Sequence, residues 1–84
     1  MKTLHIIRDP HDALAHEVIQ EQKGRHEMGV LFLQDGVLAR WDVPGPAYAC
    51  AADLTARNVS TPYSPVDYAG IVRLLGEYDK VISW

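Results

Sequence analysis

The sequence predicts a small α/β domain built on a mostly parallel sheet with helices on both faces. Three observations carry that expectation. Strand-like and helix-like segments alternate along the whole chain. The run "GVLFL" (29–33) is continuously apolar, as in a strand buried on both faces of a parallel sheet. Most apolar runs are bounded by Asp, Pro, Gly or Asn, the residues that cap helices and make turns.

The elements follow in order. "TLHII" (3–7) is a β-rich run that ends at "RDPHD". There Asp9 can cap a helix, with Pro10 at its first position and Asp12 in its first turn. Leu14, Ala15, Val18 and Ile19 then share a face at helical spacing, and Gly24 is a natural stop. "GVLFL" gives the second strand, punctuated by "QDG" (34–36). After the Pro and Gly cluster "DVPGP" (42–46), "AYAC" (47–50) reads as a third strand. "AADLTAR" (51–57) reads as a short helix that stops at Asn58, which tolerates the left-handed conformation.

"VSTPY" (59–63) is a candidate minor strand that Pro62 would confine to an edge. Ser64 is the expected cap of the next helix, with Pro65 at its first position and Asp67 three residues after the cap. Tyr68, Ile71, Val72 and Leu75 form its amphipathic stripe. "KVISW" (80–84) is the last strand. With no repeat, low-complexity segment or long linker, residues 1–84 form a single domain.

Composition narrows the class further. A domain of 84 residues buries only about 60–65% of the surface its unfolded chain exposes, so it needs added support. Small folds find it in disulfides, a metal or oligomerisation. The single cysteine excludes an intramolecular disulfide, which makes an oligomer the first expectation. The 8 Lys and Arg against 11 Asp and Glu give no basic footprint for direct nucleic-acid binding. The apolar part of "MKTLHIIRDP" is too short for a signal-peptide core, and no window reaches the length of a membrane span. A cytoplasmic protein with a reduced thiol is expected.

In open parallel sheets, sites collect beyond the carboxyl ends of the strands. That rule selects Arg8 to His11, Gln34 to Gly36, and Cys50 to Ala52. Cys50 is the most informative. If a helix starts at Ala51, the sulfur lies near unpaired backbone N–H groups and the positive end of a helix dipole, both of which favour thiolate. The alternative is a small hydrophobe packed at a strand end, because free cysteine is among the most buried residue types. Asp35 and Gly36 can contribute to a small-anion site or simply make the turn that ends a strand.

Three segments, "FLQDGVLA" (32–39), "YACAADLTARN" (48–58) and "VDYAGIVRLLGEYDKVISW" (66–84), resemble the DsrE/DsrF/DsrH and TusB/TusC/TusD group of sulfur-relay proteins. Their order and spacing cover most of the chain after residue 28. The short length and the closing Ser-Trp most resemble the DsrH/TusB branch. The resemblance implies a three-layer α/β/α fold with a mainly parallel sheet of four or five strands. It also implies homo-oligomers, or hetero-oligomers with DsrE/TusD-like partners, and persulfide donor and acceptor proteins.

In the DsrE/TusD branch a cysteine within C-x-A-A-x-x-R-R-G carries sulfane sulfur. On that pattern Cys50 matches the carrier, Ala52 a small-residue position and Arg57 the second arginine, while Asn58 replaces the usual glycine. Asp35, Gly36, Ala51 and Arg57 are accordingly the candidate substrate- or anion-binding residues around catalytic Cys50. TusB-type chains commonly place an aliphatic residue at this position and act as partner subunits. Two functions therefore stand side by side. One is a sulfur carrier in tRNA 2-thiouridine formation or sulfur oxidation, and the other is a noncatalytic subunit with Cys50 buried and inert.

The remaining features carry less. Of four histidines, His11 and His16 are five apart and do not share a helix face, so no metal is expected. No G-x-G-x-x-G or Walker loop is present, and no nucleotide cofactor is expected. No nucleophile elbow marks a serine hydrolase. Lys23, Arg25 and His26 form a small basic cluster read as a solvated loop or a contact for an acidic partner. Trp41 or Trp84 is expected in a subunit interface, because so small a sheet cannot cover all its aromatics.

Overall fold

A computed structural model of the chain describes residues 1–22, 24 and 27–84. The strands are β1 (Lys2–Ile7), β2 (Glu27–Phe32), β3 (Ala47–Cys50), β4 (Ser64–Val66) and β5 (Lys80–Ser83). The helices are α1 (Ala13–Glu21), α2 (Ala51–Arg57) and α3 (Tyr68–Glu77), with a short 3₁₀ helix over Gln34–Leu38. All strands run parallel in one sheet, ordered β4-β3-β2-β1-β5. The Lys23, Arg25 and His26 cluster lies outside the described residues.

Alternation along the strands divides the core in two. Ile7, Met28, Val30, Phe32 and Ala49 face Ala15 and Ile19 of α1 and Leu54 of α2. Leu4 and Leu31 point the opposite way, against Leu74 of α3. The result is a three-layer α/β/α arrangement, with two helices on one face and one on the other. Because β4 and β5 are opposite edges of the sheet, α3 is the crossover that spans it.

The third strand and second helix match the sequence residue for residue. "AYAC" is β3, "AADLTAR" is α2, and Asn58 closes it at φ 51°, ψ 48° in the left-handed region. Two caps differ from expectation. Asp9 Oδ1 accepts from His11 N at 2.8 Å, which makes a local turn. The helix therefore starts later, with Asp12 Oδ1 accepting from Ala15 N at 3.0 Å. At α3 the cap is Asp67, whose Oδ1 accepts from Gly70 N at 2.8 Å. Ser64 and Pro65 instead form β4 with Val66. Proline is tolerated there because β4 is an edge strand, and it displaces the minor strand expected at "VSTPY".

Two helical faces are also rotated from expectation. Leu14 is exposed, and α1 buries only Ala15 and Ile19 completely. On α3 the buried residues are Gly70 and Leu74, with Ile71 and Tyr78 packed beside them. Tyr68, Val72 and Leu75 are 75%, 67% and 41% exposed. The cause is the start of the helix: a Cβ at Gly70 would lie 3.3 Å from both Asp67 Oδ1 and Val66 Cβ, so this glycine marks the side that fits against β4.

Both tryptophans have places within the chain. Trp41 packs edge-on to Phe32 and stacks on His16, with ring centroids 5.5 and 4.7 Å apart. The Tyr63 hydroxyl accepts from Trp41 N at 2.6 Å and donates to Trp41 O at 2.9 Å. Trp84 reaches back to His5 on β1. Among the described residues, no helix is long and apolar enough to cross a membrane.

Candidate functional site

The predicted site residues lie beyond the carboxyl ends of β2 and β3, two neighbouring inner strands, with the 3₁₀ helix following β2 and α2 following β3. Cys50 is the last residue of β3 and the N-cap of α2, with φ −65° and ψ 118°. Its side chain makes no capping hydrogen bond. Its register partner on β4 is Val66. Alternation puts Cys50 on the same face as Tyr48, the face that α3 covers. The thiol is free but buried, at 4% exposure.

Ala51 opens α2 directly after it and is half-buried. Asp35 and Gly36 lie in the 3₁₀ helix that follows β2. Gly36 is buried, and a Cβ there would overlap the Ile7 carbonyl at the end of β1. Its role is close approach of two backbone segments.

Arg57 joins these pieces. Its Nε donates to Asp35 Oδ1 at 2.9 Å, and an Nη reaches Asp53 O at 3.2 Å and Asp53 Oδ1 at 3.5 Å. Asp53 Oδ2 accepts from Gln34 N at 2.7 Å. That bond holds Gln34 at φ 54°, a left-handed conformation unusual for a side chain of its kind. The 3₁₀ helix and α2 are thus tied by a chain of four residues, Asp35, Arg57, Asp53 and Gln34.

The electrostatics follow from this arrangement. Two carboxylates meet one guanidinium, so Arg57 offers no net positive field to an incoming anion. Asp53 sits in the first turn of α2, where its charge offsets the positive helix end. The feature expected to activate Cys50 is thereby partly answered by the chain's own carboxylate.

Asp53 was not among the residues the sequence selects, whereas Gln34 was, as the first residue of the segment beyond β2. Asp53 and Arg57 are four apart on one helix, a spacing that places side chains together and so offered a signal. The turn of Gln34 offered none. Among the described residues no three His, Cys, Asp or Glu side chains are grouped as a metal site. His11 and His16 do share the rim of a shallow depression with Trp41, 210 Å³ in volume.

The chain matches no protein-family model and no curated protein.

Proposed function

We propose that the chain is a sulfur-relay subunit of the DsrH/TusB kind, a noncatalytic partner in a DsrE-like hetero-oligomer that helps sulfane-sulfur transfer by building the assembly instead of carrying the persulfide itself. The observation that carries this reading is the 4% exposure of Cys50. A carrier thiolate must reach a donor sulfur and then an acceptor thiol, and both exchanges require access. The exposed apolar side chains Tyr68, Val72 and Leu75 on α3, with Val81 on β5, support a subunit role, since a grouped apolar surface favours association.

The carrier reading retains one supporting observation, the position of Cys50 at a helix start beyond a parallel strand. Iodoacetamide labelling separates the two. With a local opening cost of about 4 kcal/mol, native Cys50 labels about a thousandfold more slowly than the urea-unfolded chain. Incubation with a competent persulfide donor leaves the native protein without an added sulfur. Labelling at the unfolded rate, together with gain of one sulfur in the wild type and none in Cys50→Ser, refutes the subunit reading and establishes the carrier. The pathway served is tRNA 2-thiouridine formation or sulfur oxidation, as in the proteins the chain resembles.

A further inference from the structure

His5 lies in the middle of β1, between β2 and β5, and is 0% exposed. Its Nδ1 faces Trp84 Nε1 at 3.1 Å, and its Nε2 faces Gln22 Oε1 at 2.9 Å. An indole N–H only donates. Nδ1 must therefore be bare, and Nε2 carries the hydrogen that goes to Gln22. Both ring nitrogens are satisfied in that one neutral tautomer. A second proton, on Nδ1, would set N–H against N–H and remove the bond that holds the indole.

The surroundings favour the neutral ring. In register beside His5 stand Val30 on β2 and Ile82 on β5, both apolar. α1 contributes Gln22, which follows the exposed Glu21. Of the charged residues on the flanking segments, Lys80 stands two residues before Ile82 on β5, and Arg8 Nε donates to Trp84 O at 3.0 Å. Lys23, Arg25 and His26 lie outside the described residues. Burial pushes His5 below its usual value of 6.5, and the Gln22 bond opposes this in part.

The Trp84 backbone is held by bonds that do not depend on this proton. Its N donates to Ile6 O at 3.0 Å, and its O accepts from Arg8. The side chain packs against the buried cluster that includes Ile7 and Ile19, and its one hydrogen bond is the one to His5.

We propose that His5 and Trp84 form a proton-operated latch: protonation of His5 releases the Trp84 indole from the sheet while the backbone of β5 stays paired. Acidification then turns a packed aromatic at the β5 edge into an exposed one, and Gln22 is the partner that fixes the closed tautomer.

The test follows the two indole N–H signals of the full-length ¹⁵N-labelled protein by NMR as pH is lowered from 8 to 5, with Trp41→Phe used to assign them. The expected result is loss of the Trp84 signal to solvent exchange at the midpoint of the His5 ring titration, with backbone amide dispersion unchanged. In His5→Gln that loss is absent. In Trp84→Phe, which folds independently of the first variant, the His5 midpoint rises towards the ordinary histidine value, because Nδ1 is freed to take a proton. The latch is overturned by a Trp84 signal that survives the His5 titration, by loss that coincides with global unfolding, by persistence of the transition in His5→Gln, or by an unchanged midpoint in Trp84→Phe.

Discussion

Replacing Gly36 by alanine tests whether this residue serves packing or a ligand. A Cβ there overlaps Ile7 O and comes within 2.9 Å of Ile7 C and 3.3 Å of Arg8 Cα. All three atoms are backbone. β1 cannot recede, because it is paired with β2 on one side and β5 on the other. The 3₁₀ helix must lift instead. Lifting disturbs the bonds from Gly36 N to Leu33 O at 2.8 Å and from Ala39 N to Gly36 O at 2.9 Å, and it loosens fully buried Val37.

Overpacking of this kind costs about 1–3 kcal/mol, and a backbone obstacle puts the cost near the upper end. The loss of unfolded-state freedom returns about 0.4–1 kcal/mol. The net destabilisation is about 2 kcal/mol, a large share of the ~4–13 kcal/mol expected for a domain of this length. With a urea dependence of about 1 kcal/mol/M, the midpoint falls by about 2 M. Gly76→Ala is the control: nothing lies within 4 Å of its Cβ, and relief of a helix glycine stabilises by about 0.5–1 kcal/mol. Equal urea midpoints for Gly36→Ala and wild type would refute the packing role of Gly36.

Two further outcomes can be measured on the same apparatus. Since Asp12 and not Asp9 caps α1, Asp12→Ala costs about 1 kcal/mol in urea unfolding and Asp9→Ala costs less; the reverse order would move the cap. The folded pKa of His5 lies below its unfolded 6.5, so the unfolded chain binds more protons in the interval between them. Its contribution is complete above pH 6.5 and declines as pH falls towards the folded value, a slope that calorimetry should find reduced in His5→Gln.

The parts of the fold that were legible in the sequence are those decided within a few residues. β3, α2 and the Asn58 stop are a short apolar run, a run of helix formers and a residue at ease in the left-handed region. The caps were less legible because competing candidates stand three residues apart. Asp9 and Asp12 can each accept from a helix start, and the turn at His11 decides between them. The face of α3 depends on how Gly70 meets Val66, which is a tertiary fit with no periodic signature.

The site divides in the same way. The position of Cys50 at a strand-to-helix junction follows from its neighbours. Its depth is a tertiary outcome that includes the pairing with Val66 of β4, so local pattern carries no sign of it. The Asp35 to Arg57 pair bridges two elements, and His5 meets Trp84 across 79 residues. Contacts of that separation are set by the order of strands in the sheet.

The placement of β1 has a consequence for how the molecule is assembled during synthesis. β2 reaches one flank of β1 early, but its other flank waits for β5, and the bond from Lys2 N to Asp79 Oδ2 spans 77 residues. Pairing across so long a loop slows folding. A nascent chain released before Lys80 would present the unpaired flank of β1 as an open edge, able to template association with other chains. The strand that begins the sheet is thus among the last to be sealed, so incomplete translation products of this protein are the form most in need of a chaperone.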